Sequence, residues 1–272
     1  MGSCCPPSWL TVTAVGLILW QVDRVLFISD SYRDHPALDV AVSHAILGAV
    51  ARGEMGPTFR LHVPHRIMAF GMADRIQPGY PYAVKISEAH GFAPVERLAG
   101  GRAAVFHERT LAFSWATPED DPRTGITQRF QRLSGLMARA FKNLKIDARV
   151  GEIPGEYCPG EYSVNVAGRV KVMGVGQRLV RGAAHVGGVI VVDDSRSIEG
   201  VLVPVYRALG IDWDPRTVGA LADRSAGTGV TDVSSAVVDE LRRIADIEEG
   251  QIPSEVVEAG HDLLERHVPE AA

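Results

Sequence analysis

The sequence predicts an α+β fold, an α/β sandwich of mixed, mostly antiparallel sheets flanked by helices. Two observations predict it. Short β-branched runs bounded by glycine or proline crowd the middle of the chain, and amphipathic helical patterns lie between and after them. A chain of 272 residues with 46% hydrophobic content can bury a full core in one large domain. No internal repeat or low-complexity tract interrupts it.

The elements follow in order. Residues 1–21 hold an apolar run from Trp9 to Trp20, too short to span a bilayer comfortably and with no positive charge before it. Gly2, Cys4 and Cys5 hint at lipidation, but Pro6 stands where the myristoylation pattern needs Ser or Thr. Residues 22–29 read as a strand, and Pro36 opens a helix with Leu38, Ala41, Ala45 and Ala49 at helical spacing, stopped by Gly53. Two strands follow over 59–64 and 66–71, then a short helix over 82–91 with Gly91 after its last turn. Residues 95–107 read as strand, glycine turn and strand, and 110–116 as another strand. Phe130, Leu133, Leu136, Met137, Ala140 and Phe141 mark one stripe of a helix over 128–144. A hairpin comes next, then a buried strand over 183–192. From about Ser197 the chain reads as helical, ending in amphipathic segments over 231–247 and 254–267.

Composition narrows the function. A net charge of −5 gives no basic footprint, which argues against nucleic acid as a partner. Three cysteines, two of them adjacent, form no disulfide framework, and a reducing, cytoplasmic setting is expected, with no membrane role.

The most informative stretch is 156–178, EYCPGEYSVNVAGRVKVMGVGQR. It holds Cys158, the only cysteine outside the extreme N-terminus, before a Pro159-Gly160 turn that leaves its sulfur accessible. A type II′ turn at Gly168-Arg169 pairs Val166 with Lys171, Val164 with Met173 and Tyr162 with Val175. That register puts Lys171 on the apolar face with Tyr162, Val164, Val166, Met173 and Val175. An ammonium there is costly unless something uses it, so a thiol and an amine suit a carbonyl-activating acyl-transfer site. The plainer alternatives stay open: a solvated strand lysine, a cysteine that is merely a small core residue, or a register slipped by one, which moves Lys171 to the opposite face.

Several motifs jointly resemble a known family: the helix with Asp39, then Arg97-Leu98-Ala99-Gly100-Gly101 leading to Phe106-His107, then Cys158-Pro-Gly-Glu-Tyr, then Lys171-Val-Met-Gly174-Val-Gly-Gln177-Arg178, then His185-Val-Gly187-Gly. This pattern is similar to the biotin/lipoate protein ligase and octanoyltransferase superfamily, closest to the amidotransferases that move octanoate from the glycine cleavage H protein to lipoyl domains of 2-oxoacid dehydrogenases. The resemblance covers about residues 22–215, which implies an N-terminal extension over 1–21 and a helical extension over 216–272. It implies that Cys158 is the nucleophile that takes the acyl group as a thioester and that Lys171 positions or polarises the acyl carbonyl. Arg97, Gly100 and Gly101 match the loop around the acyl chain, Gly174 the strand beyond the lysine, and His185 with Gly187 the strand opposite the pocket. Val164, Val166 and Met173 would line an acyl tunnel, and backbone N–H groups near Gly100-Gly101 or Val172 would hold the oxyanion.

No cofactor or metal is implied, and the partners are an octanoylated carrier, either H protein or acyl carrier protein, and a lipoyl domain; a monomer is expected. ATP enters only if the chain is a ligase of free lipoate or octanoate. Against that, the ligase loop Arg-Arg-x-Ser-Gly-Gly-Gly-Ala reads here Glu96-Arg97-Leu98-Ala99-Gly100-Gly101-Arg102-Ala103, losing a positive charge and a hydroxyl that suit a nucleotide phosphate. A third reading is a non-catalytic, carrier-binding member of the same fold. His62/His65 and His107-Glu108 lack the spacing of metal sites, and Gly174-Val-Gly176 lacks the third glycine of a dinucleotide loop.

Overall fold

The computed structural model describes residues 22–32 and 35–270. The expectations for residues 1–21, including Cys4 and Cys5, lie outside the described residues. In chain order the elements are β1 (Val22–Ile28), α1 (Leu38–Ala51), β2 (Thr58–His62), β3 (Ile67–Phe70), α2 (Met72–Arg75), α3 (Tyr80–Ala89), β4 (Ala93–Glu96), β5 (Ala104–Phe106) and β6 (Thr110–Glu119). They continue with α4 (Ile126–Asn143), β7 (Ala148–Val150), β8 (Val164–Val166), β9 (Val170–Val180), β10 (Gly182–Val191), α5 (Ser195–Ala208), α6 (Val230–Arg242), β11 (Ala245–Gly250) and α7 (Ser254–Asp262).

Eight strands form one sheet in the order β11-β1-β2-β6-β10-β9-β8-β7, and β4-β3-β5 form a second. β1 runs parallel to both β2 and β11, whereas the other neighbours in the large sheet are antiparallel. The mixed, mostly antiparallel α+β sandwich expected from the sequence is therefore present.

Side-chain alternation builds the layers. On β6, Leu111, Phe113 and Trp115 join the main core with Leu133, Leu136, Met137 and Phe141 of α4 and Val237 and Leu241 of α6. Ala116, the next residue after Trp115, joins Leu38, Val42, Ile46 and Leu47 of α1 on the opposite face. β6 is buried on both faces over its first seven residues, as a central strand should be. A third cluster packs α5 against β3 and β5 through Val201, Leu202 and Tyr206, with Met68 and Val105.

Two expectations need correction. Residues 245–250 are not the end of a helix but β11, a polar edge strand whose partner β1 lies more than 200 residues upstream. The segment 216–272 thus contributes a strand to the main sheet as well as α6 and α7. The β8–β9 hairpin forms, but only one of the three expected pairs holds: Val164 faces Met173, whereas Asn165 faces Lys171 and Val166 faces Val170. Ala167 (φ 55°) and Gly168 (φ 69°) are both left-handed, and Arg169 N–H donates to the Val166 carbonyl at 3.0 Å. Asn165 Oδ1 accepts from Gly168 N–H at 2.9 Å, so the turn closes around Ala167-Gly168, one residue before the expected centre. A bulge follows between Val164 and Asn165. Tyr162 precedes the strand and stacks on Phe130 of α4 at 5.0 Å instead of pairing with Val175.

Candidate active site

Cys158 lies in the loop between β7 and β8, where its residue has φ 44°, an uncommon conformation for a non-glycine residue. Its backbone is held at both ends. Its N–H donates to Tyr206 Oη at 3.0 Å, and that hydroxyl donates onward to the Ala103 carbonyl at 2.9 Å. Its carbonyl accepts from Lys171 Nζ at 2.6 Å. Burial raises the Tyr206 hydroxyl well above its ordinary range, so it stays a donor to Ala103 at neutral pH.

Lys171 is 1% exposed and sits in a cage of acceptors. Besides Cys158 O, its ammonium donates to the Tyr157 carbonyl at 3.0 Å and to Glu156 Oε1 at 2.8 Å, and it lies 5.1 Å from the centroid of the Tyr157 ring. Glu156, itself buried, also accepts from Ser163 Oγ at 2.6 Å and from Ile153 N–H at 3.0 Å. A buried ion pair needs such extra hydrogen bonds to offset desolvation. The amine therefore has a carboxylate partner, and it grips the carbonyl of Cys158 and not its sulfur.

The sulfur has other company. Arg102 N–H donates to Sγ at 3.1 Å, and Arg97 Nη1 lies 3.9 Å away. Arg97 is fixed by donating to the Arg102 carbonyl at 2.9 Å. The Arg102 side chain turns away, donating to the Ala73 carbonyl at 2.8 Å and reaching Asp74 at 3.4 Å. That anchorage accounts for an arginine inside the glycine loop: its guanidinium ties the loop to α2 while its N–H meets the sulfur. Gly101 has φ +116°, and a side chain there would crowd Sγ and Arg97 at 3.0 Å. The loop also presses on β9, where a Cβ on Gly176 would stand 2.7 Å from the Gly100 carbonyl.

Next to this cluster opens a cavity of about 80 Å³. Arg97, Leu98 and Ala99 form one wall, and Ile67, Ala69, Phe106, Phe113, His185 and Gly187 contribute to the others. Arg97 thus touches both the sulfur and the cavity. Four expected residues lie elsewhere. Val164, Val166 and Met173 are core residues packed with α4, and Val172 is fully buried among them. They line neither this cavity nor one of about 730 Å³ between α4 and the sheet. The displaced register pairs Lys171 with Asn165, off the valine face, and that face is the one α4 covers. Gly174 lies beside Lys171, whose Cε would be 3.4 Å from a Cβ added there.

His185 lies 5% exposed on the cavity wall, and burial lowers its pKa to about 4, so the ring is neutral at pH 7. This lowering has a sign. Between about pH 6.5 and pH 4 the unfolded chain holds a proton that the folded ring refuses, so stability is lost as pH falls through that window. A shift from 6.5 to about 4 corresponds to about 3 kcal/mol at the acid end. Urea unfolding at pH 7 and pH 4.5 should show the loss, and His185→Gln should make the pH dependence shallower.

Glu156, Tyr206 and the Arg102 N–H escaped the sequence reading. A buried lysine demands a counterion, but Glu156 and Glu161 stand at similar distance in sequence. Tyr206, on a helix 48 residues away, gave no signal. Among the described residues no group of three His, Cys, Asp or Glu side chains is arranged to hold a metal ion, and no helix is long and apolar enough to cross a membrane.

Comparison with known proteins places this geometry. Residues 35–242 match the model of the lipoyl protein ligase A/B catalytic domain. The chain is 30% identical over 170 residues to octanoyl-[GcvH]:protein N-octanoyltransferase of Geobacillus kaustophilus, covering 62% of this chain and 60% of that protein. It is 26% identical over 218 residues to the protein of that name from Bacillus velezensis, covering 75% and 76%. It is also 26% identical over 192 residues to lipoyl-[GcvH]:protein N-lipoyltransferase of Listeria monocytogenes, covering 69% and 62%. In fold it is similar to lipoate-protein ligase A bound with ATP (TM-score 0.73, 18% identity, 89% and 95% coverage) and to the bi-partite lipoate protein ligase of Thermoplasma acidophilum (TM-score 0.68, 17% identity, 90% and 93% coverage). The matched span runs from just before α1 to the end of α6 and takes in Arg97, Cys158, Lys171 and His185, so the chain belongs to the lipoyl protein ligase A/B catalytic domain family.

Proposed function

We propose that this protein is a cysteine-dependent acyltransferase of lipoate metabolism, moving an octanoyl or lipoyl group from a carrier protein to the lysine of a lipoyl domain. The observation that carries the reading is the convergence of the Arg102 N–H and the Arg97 guanidinium on Cys158 Sγ beside a partly apolar cavity. Two donors aimed at one sulfur suit a thiolate, the nucleophilic form of cysteine. The names of the relatives, which carry GcvH as the donor, support the glycine cleavage H protein over acyl carrier protein.

The reaction has two half-steps. The thiolate attacks the carbonyl of the acyl-lysine amide on the donor. The carbon–nitrogen bond breaks, the leaving nitrogen takes one proton from solvent and departs as the donor lysine's amine, and the acyl group remains on Sγ as a thioester. The neutral amine of the acceptor lysine then attacks that thioester, the carbon–sulfur bond breaks, and an amide and a free thiolate result, with one proton released. An amide is exchanged for an amide, so no nucleotide has to drive it. The Arg102 N–H, held by its own side chain, and Arg97 would then receive the oxyanion, where one donor is commonly worth about 3 kcal/mol. Lys171 acts on the nucleophile's backbone, holding the Cys158 carbonyl and with it the direction of Sγ.

The octanoyl chain would enter the cavity beside Arg97, where each buried methylene contributes about 0.8 kcal/mol. Glu96, in the place of the ligases' first loop arginine, is engaged by Arg75 at 2.8 Å, which leaves a carboxylate where phosphates would need a cation. Octanoylated H protein mixed with an unmodified lipoyl domain tests the proposal. Acyl transfer should proceed without ATP, with a thioester adduct on Cys158 trapped by mass spectrometry. Transfer that requires free octanoate and ATP, and that survives loss of the thiol, would establish the ligase reading instead.

A further inference from the structure

After α7, a 3₁₀ turn over Leu264–Arg266 delivers His267, 4% exposed, to the strand that feeds the glycine loop. The pairing is double. Glu96 N–H donates to the His267 carbonyl at 2.8 Å, and His267 Nδ1 lies 2.7 Å from the Glu96 carbonyl. A carbonyl only accepts, so Nδ1 carries the proton. Burial lowers the His267 pKa and keeps the ring neutral, which leaves Nε2 as an acceptor. His44 Nδ1, on α1, lies 3.0 Å from that Nε2 and completes a chain from helix to tail to loop. The two rings meet edge-on at 5.2 Å.

The next residue after Glu96 is Arg97, whose guanidinium approaches Cys158 Sγ and lines the cavity. Apolar contacts reinforce the same region: Leu264 packs against the cluster of Ala37, Ile67, Ala69 and Val95, and two of those residues are cavity wall. The family match ends at residue 242, so the tail half of this arrangement lies beyond the shared catalytic domain. We propose that His267 is a positioning residue: the C-terminal tail clasps Glu96 and so sets where Arg97 stands over the sulfur. It touches no reacting atom and acts through the loop. The inference rests on the acyl-transfer reading for its functional consequence, but the position of Arg97 can be probed without acyl transfer.

His267→Ala removes the donor to Glu96 and the acceptor for His44. Displacing a catalytic group by about 1 Å can cost about a hundredfold in rate, and a slackened loop should cost about tenfold in kcat with KM for the lipoyl domain little changed. Iodoacetamide alkylation of Cys158 at pH 7 should slow severalfold in the same variant, because the sulfur loses the steady approach of Arg97. This second readout needs no octanoylated donor, so a wild type inactive in transfer would sink the functional reading while leaving the clasp testable. His267→Asn, whose amide can reach Glu96 from the Nδ1 position, should recover most of both rates. If His267→Ala does not fold, His44→Ala removes only the outer hydrogen bond and should give a two- to threefold loss. Wild-type alkylation and kcat in a folded His267→Ala or His44→Ala protein, or no recovery with asparagine, would overturn the clasp.

Discussion

Cys158→Ala should form no acyl-enzyme and should lower transfer from octanoylated carrier to lipoyl domain by about 10⁴-fold or more, the loss expected if the thiol is the nucleophile. The fold should hardly notice. Alanine keeps the Cβ, so it neither relieves nor worsens the left-handed backbone at φ 44°, and the anchors at Tyr206 and Lys171 grip backbone atoms that the substitution leaves in place. The groups that lose a partner are the Arg102 N–H and Arg97 Nη1; Arg97 keeps its bond to the Arg102 carbonyl, and the partly exposed site lets water replace the sulfur. A melting temperature within about 2 °C of wild type should therefore accompany the lost activity. Binding of the carrier should persist, because the cavity wall is untouched. Retained lipoyl-domain octanoylation by a folded Cys158→Ala protein would remove the covalent mechanism, and a thioester on another residue would relocate it.

What could be read from the sequence divides along physical lines. Cys158 and Lys171 stood out as a lone thiol before a Pro-Gly turn and a lone amine in a hairpin, whereas the Arg97-Gly100-Gly101 loop was visible only through its resemblance to the ligase loop; the fold brings Arg97 and Gly101 against Cys158 Sγ. Local periodicity located α1, α3, α4, α6 and α7 and the run β8-β9-β10, but the three-residue β7 beside β8 was too short to give a pattern. β11 was missed because its residues, Ala-Asp-Ile-Glu-Glu-Gly, alternate weakly on an exposed edge, and its identity as a strand depends on a partner at the other end of the chain. The hairpin's register failed on one hydrogen bond, from Gly168 N–H to the Asn165 side chain, which no turn statistic for Gly168-Arg169 contains. Val164, Val166 and Met173 belong to the core because α4 covers their face, while the cavity is walled by residues of α1, β3, β5, β6, β10 and the glycine loop that only the tertiary fold assembles.

The buried pair Glu156–Lys171 should couple stability to reactivity. Lys171→Met leaves the Glu156 carboxylate nearly dry, with only Ser163 and Ile153 as donors, and breaking a buried pair on one side costs about 3–5 kcal/mol. For a chain of this size that is a fall of about 10 °C in melting temperature. Glu156→Gln should cost a similar amount, since it strands the ammonium among two carbonyls. The double variant Lys171→Met, Glu156→Gln removes both charges, and its loss should be well below the sum of the two, the sign of a coupled pair. Reactivity should separate from this. The double variant recovers stability but not the hydrogen bond from Nζ to the Cys158 carbonyl, so Sγ keeps its left-handed backbone without the anchor that aims it. Transfer should stay depressed by about a hundredfold in both proteins lacking the amine. Were the double variant as active as wild type, Lys171 would be a structural counterion to Glu156 and nothing more; were Lys171→Met as stable as wild type, the cost assigned here to an unpaired buried carboxylate would be refuted.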